Sequence, residues 1–148
     1  MIGIVKTAAA AAVSAALFLG YGGSAPAQPM FSDASINGAY ASLFSGSTGG
    51  SNPEALSGVG IFVADGAGDL RGHETYTING AICNAKISGV YVVGANGSGS
   101  DSVKFITKDP GCSSGTYTQS LVVAGGGQLV LLNNTKGGQI TEEWHLRR

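Results

Sequence analysis

The pairs Asp65-Gly66, Asn79-Gly80 and Asn96-Gly97, with the glycine runs at 125–127 and 137–138, punctuate this chain and constrain what it can fold into. Between them lie short runs in which apolar and polar residues alternate, and a helical period is nearly absent after Gln28. Asx-Gly pairs supply the positive φ values that tight hairpin turns need. Strict alternation places every second side chain on one face of a strand. Together they predict an antiparallel all-β meander of eight strands, over residues 36–45, 57–64, 70–78, 82–93, 98–108, 116–124, 128–133 and 139–146. Residues 45–56 form the one long loop expected. Gly89, inside the longest run, suggests a bend or bulge. Eight short strands can close on themselves and so remove exposed edges. The expectation is a small eight-stranded barrel, with a two-sheet sandwich as the alternative.

One segment occurs twice in related form, as SGVGIFVADGAG at 57–68 and as SGVYVVGANGSG at 88–99. The repeat decides how to read DGAGD (65–69), which resembles the start of a calcium loop. In the second copy Asp65 becomes Asn96 and Asp69 becomes Ser100, so the shared element is the Asx-Gly turn and not the carboxylate. A calcium loop needs several oxygen ligands at set spacings, which this stretch lacks. No helix follows GAG to aim amides at a phosphate. No metal site and no cofactor are expected.

Residues 1–27 read as a secretory signal peptide. Met1 to Lys6 carries one positive charge, residues 7–20 are apolar, and Ala25-Pro26-Ala27 is a small-x-small cleavage signal before Gln28. The apolar run at 7–20 is short for a membrane span. The mature chain, 28–148, suits a single domain. Losing Lys6 leaves seven basic against nine acidic residues, a formal charge of −2, and nucleic acid is excluded as a partner for want of a basic patch. Runs such as GSGSDSVKFITKD lack the apolar belt of an outer-membrane barrel. Export to the periplasm or the extracellular space is expected. Cys83 and Cys112, the only cysteines, are expected to pair in that oxidising setting.

GAYA at 38–41, GVGIFVADGAGDLRGHETYTINGAIC and SGVYVVGANGSGS together resemble a group of small exported bacterial proteins of unassigned function. The resemblance rests on turn glycines and covers most of the mature chain. It implies a small β-barrel, similar to lipocalins or to the allene oxide cyclase barrel, and implies no activity.

Hydrolase, kinase and metalloprotease motifs are absent. His73 and His145 read as exposed strand residues. The alternation is more informative. Glu74 is in phase with Leu70, Tyr76 and Ile78, Glu142 with Ile140, Trp144 and Leu146, and Gln119 with Tyr117, Leu121 and Val123. If register holds, Glu74, Tyr76, Tyr117, Gln119, Glu142 and Trp144 line a lumen. The competing reading is that bulges let the carboxylates reach water at a barrel mouth. Three functions follow: a binding module for a small, partly apolar ligand, a structural or surface-interaction protein with a filled core, and, more weakly, a cyclase- or isomerase-like enzyme using an inward Glu. Enzymatic activity is the less favoured, and no catalytic residue is assigned.

Overall fold

The turns do what their residues require. Asn79 and Gly80 have φ of 47° and 80°, and these two residues alone join the third and fourth strands. At the preceding turn one carboxylate oxygen of Asp65 accepts the amides of Ala67 (2.8 Å) and Asp69 (3.0 Å). In the second copy of the repeat, Asn96 Oδ1 accepts the amide of Ser98 at 3.0 Å. Both copies therefore use an Asx side chain to fold the backbone back on itself.

The computed structural model describes residues 30–134 and 138–147. The expected signal peptide, residues 1–27, and its cleavage site lie outside them. Eight antiparallel strands run in order: β1 Asn37–Thr48, β2 Ala55–Asp65, β3 Asp69–Ile78, β4 Ala81–Val93, β5 Ser98–Thr107, β6 Gly115–Ala124, β7 Leu129–Asn134 and β8 Gly138–Leu146. Each pairs with the next and β8 pairs back with β1, so the meander is a closed barrel and not a sandwich. The register runs unbroken through Gly89 on both sides, so there is no bulge there. Gly89 instead faces inward, where a Cβ would strike the Ser102 carbonyl on β5. The expected long loop at 45–56 shrinks to 49–54 because β1 and β2 extend further. Its ends are pinned by Thr48 and Glu54, whose amides bond Glu54 O and Thr48 Oγ1, each at 2.9 Å.

One end of the barrel is closed. A 3-10 turn, Asp33–Ser35, with Ile36 behind it, was not legible as helix in the sequence and sits across this end. Asp33 Oδ1 accepts the Val93 amide at 2.6 Å, and the Tyr91 hydroxyl donates to Ile36 O at 2.7 Å. Tyr40 donates to Gly127 O at 2.7 Å. Above this plug Trp144 stacks on Phe62, ring centres 5.1 Å apart, and tilts against Tyr40. Tyr40, Phe62 and Trp144 are fully buried, so this half of the interior is filled. At the opposite end the Cys83–Cys112 disulfide, Cα atoms 5.8 Å apart, ties the β5–β6 loop to β4. That covalent pair fits an oxidising, exported location.

The outer faces are mixed. Leu43, Val59, Ile61 and Val63 form an exposed apolar strip on β1–β2, whereas β5 and β6 present mainly Ser98, Ser100, Lys104, Thr116, Thr118 and Ser120, with Ile106 and Val122 the apolar exceptions. Among the described residues no helix is long and apolar enough to cross a membrane.

Candidate functional site

Period-2 geometry sends the even-numbered residues of β3 inward, so Leu70, Glu74 and Tyr76 are buried while Arg71, His73 and Thr75 are exposed. The same rule on β8 buries Glu142 and Trp144 and exposes Glu143 and His145. Glu74 and Glu142 are 5% and 2% exposed, so neither escapes to water through a bulge. The strands also bring in two polar side chains that the sequence reading missed, Asp101 on β5 and Ser42 on β1, at 3% and 5% exposure. Asp101 shares the phase of Val103 and Phe105, which was the available signal. Its serine neighbours masked it.

β2 makes room for these groups. Ser42, Gly60 and Glu74 oppose one another on successive strands. A Cβ at Gly60 would lie 2.7 Å from Ser42 Oγ and 2.9 Å from Glu74 Cγ, so the space a side chain would fill is shared by its two neighbours. Gly58 does the same one step towards the open end, between Phe44 and Tyr76.

The open half of the barrel holds a cavity of about 600 Å³. An arc of rings, Phe44–Tyr76–Phe105–Tyr117, forms its collar, with successive centres 6.4, 6.4 and 5.8 Å apart. Ile140, Leu56 and Ile78 complete the apolar wall, and Glu74 and Glu142 lie deeper within it. Of the six residues expected to line a lumen, Glu74, Tyr76, Tyr117 and Glu142 do so. Gln119 and Trp144 are fully buried outside the cavity wall. Trp144 belongs to the packed half, and it reaches the site only through its indole N–H, which donates to Glu142 Oε1 at 2.7 Å. A more open concavity lies on the outer surface of β2–β4, edged by Ile61, Val63, Arg71, His73 and Lys86.

Few donors meet the buried carboxyls. Tyr117 donates to Glu74 Oε1 at a long 3.4 Å, and the Gln119 amide donates to Asp101 Oδ1 at 3.2 Å. Ser42 Oγ, Asp101 Oδ2 and both polar atoms of the Gln119 side chain are buried without a hydrogen-bond partner. Ser42 and Gln119 face Glu142 and favour its charged form, yet neither reaches hydrogen-bond geometry. Such unmet groups are uncommon in folded proteins and call for a cause.

Burial pushes all three carboxyls up. Glu74 rises to about 8, through desolvation first and repulsion from Glu142 second, against the weak Tyr117 bond. Asp101 also rises to about 8, from desolvation and then Glu142. Glu142 rises to about 7 through desolvation, held lower by Trp144, Gln119 and Ser42. At neutral pH Glu74 and Asp101 are therefore mostly protonated and can donate as well as accept. Desolvation and then the nearby Glu74 raise the Tyr76 hydroxyl, and desolvation with the three carboxylates raises that of Tyr117. Among the described residues no group of three or more His, Cys, Asp or Glu side chains is placed to hold a metal ion. His73 and His145 lie outside the barrel, His145 beside Glu143 at 3.2 Å in an exposed pair of little energetic weight. No protein-family model, curated protein or solved structure matches the chain.

Proposed function

We propose that this protein is an exported barrel that holds a small, partly apolar ligand in the open half of its lumen. The observation that carries this is the cavity of about 600 Å³, apolar at its collar and polar within. Ligand sites are concave, mainly apolar, and contain a few buried polar groups that fix orientation, with volumes of roughly 300–1,000 Å³. The division of the barrel supports the same reading. Tyr40, Phe62 and Trp144 fill one half, while in the other the glycines at 58 and 60 keep side chains out of the lumen. Export to the periplasm or beyond is supported by the leader-like stretch 1–27 and by the disulfide. The mainly polar outward faces of β5 and β6, where Ile106 and Val122 are the large apolar exceptions, suit water better than lipid.

Native mass spectrometry of protein purified from the exported fraction of its host tests this. A retained small molecule, released by unfolding and excluded by a bulky residue at Gly58, is the expected result. An interior that binds nothing, with a Gly58 variant of unchanged behaviour, would return the protein to a structural or surface-interaction role. A second reading, a cyclase- or isomerase-like enzyme, draws support from Glu142, since a carboxyl titrating near neutrality suits acid–base work.

A further inference from the structure

The chemistry of the lumen narrows the ligand, given the lumenal reading above. Three carboxyl side chains, Glu74, Asp101 and Glu142, are buried inside the barrel. Among the described residues none of the basic side chains accompanies them: Arg71, His73, Lys86, Lys104, Lys108, His145 and Arg147 are all exposed on the outside. Once the carboxyls are ionised, acceptors also outnumber donors. The carboxyls of Glu142, Glu74 and Asp101 accept from Trp144, Tyr117 and the Gln119 amide respectively. Asp101 Oδ2, Ser42 Oγ and both polar atoms of the Gln119 side chain remain buried and unmet. Beyond them the approach from solvent runs past the faces and edges of Phe44, Tyr76, Phe105 and Tyr117. Aromatic faces attract cations through their quadrupoles, and most strongly where water is excluded.

We propose that the ligand of this lumen is a cationic amphiphile, an apolar body carrying one protonated amine, with its ammonium group seated against Glu74 and Glu142 and its body within the aromatic collar. An ammonium brings up to three donors and a positive charge to a site with spare acceptors and no internal cation. A carboxylate or phosphate ligand would meet the ionised forms of Glu74 and Glu142 with its own sign and bring no donors. A neutral alcohol competes only by exchanging hydrogen bonds with protonated carboxyls.

The pairing also fixes a proton linkage. Glu142 on β8 is faced by Glu74 from β3, Asp101 from β5 and Tyr117 from β6, with Tyr76 and Glu54 on the same cavity wall and Asp109 acting on Tyr76. No titratable side chain of β2 or β7 faces it, and the tyrosines of β1 and β4, Tyr40 and Tyr91, belong to the closed end. Glu74 holds its proton at neutral pH and Glu142 part of one, and an arriving ammonium displaces a proton from the pair. Amine affinity then rises about tenfold per pH unit below the folded-state pKa and levels off above about pH 8, since a ligand bound only by the ionised form competes with the proton.

The test uses three probes with one apolar body, phenylpropylamine, phenylpropanol and phenylpropanoate, titrated by calorimetry into the mature protein at about pH 6, 7 and 8.5, the span over which the linkage acts. The amine should bind at least about tenfold tighter than the alcohol at the highest pH, and the acid not at all. Its advantage should shrink about tenfold in Glu142→Gln and Glu74→Gln while alcohol binding persists, and Glu143→Gln, on the outer face, should leave it intact. Alcohol or acid binding as well as the amine, or an amine affinity that does not change with pH, overturns the cationic ligand and leaves the lumenal site standing. Failure of all three probes to bind overturns both.

Discussion

Glu74→Gln should stabilise this protein at neutral to alkaline pH, an unusual outcome for the loss of a buried, hydrogen-bonded side chain. Glu74 has an ordinary value of 4.5 and stands at about 8 in the fold. Between these values the unfolded chain releases its proton and the native protein keeps it. The native state then binds more protons than the unfolded state, so stability falls as pH rises through this window and is flat above it. At about 1.4 kcal/mol per pKa unit the ceiling for Glu74 is about 5 kcal/mol at pH 8. Part of that shift is repulsion from Glu142, which belongs to both groups, and the Gln amide must still find partners, so a gain of about 2 kcal/mol is expected. Asp101 and Glu142 are raised by the same causes, and wild-type stability should therefore be greatest near pH 4–5, roughly where the unfolded carboxyls titrate, and decline by several kcal/mol towards about pH 8. Asp65, held below its ordinary value by the Ala67 and Asp69 amides, acts only beneath this window. Urea unfolding at about pH 5 and pH 8 measures both effects, with Glu143→Gln as the outer-face control. Wild-type stability that holds level or rises between these pH values, or a Glu74→Gln protein weaker than wild type at the higher one, would refute the desolvation argument.

Replacing Cys83 and Cys112 together by Ser should cost about 3.5 kcal/mol, from the chain-entropy value for the closed loop, read as a drop in urea midpoint. Gly60→Ala should cost about 1–3 kcal/mol by overpacking, because the His73 carbonyl, 3.0 Å from the new Cβ, is backbone and cannot swing aside. Asp65→Asn should keep the melting temperature, as Asn96 performs the same task in the sister turn, whereas Asp65→Ala should lower it. Millimolar calcium should leave the wild-type melting temperature unchanged, and a dose-dependent rise would contradict the turn assignment.

Much of the fold was legible because turn chemistry and period-2 alternation are local signals. Asn79-Gly80 and the two Asx-Gly turns placed the hairpins, and the phase of Glu74 and Glu142 with Tyr76 and Trp144 placed both carboxyls inside. Alternation names a face but gives no depth along the barrel axis. Depth comes from the stagger between strands, which sets Ser42 opposite both Gly60 and Trp144 and sinks Trp144 into the packed half, away from the cavity where Tyr117 stands. Nothing in Gln119's own strand marks it as lying outside the cavity wall either. Asp33–Ser35 was missed because so short a turn carries no period. The extensions of β1 and β2 past the expected ends reflect pairing between the strands themselves, which overrides the loop-like composition of 45–56.

The closure of β1 on β8 has a kinetic side. Seven of the eight ladders join neighbours in sequence and can zip from their turns, but the eighth brings together the two ends of the barrel domain and must wait for the rest. That late seam is also where Glu142 comes to lie opposite Phe44, and Trp144 opposite Ser42. Closing that seam therefore strips a carboxyl group of water. Refolding measured by stopped flow should slow as pH rises from about 5 to 8, the span over which the linkage acts. Glu142→Gln should remove most of that dependence, because Glu142 is the buried carboxyl that the closing seam itself carries.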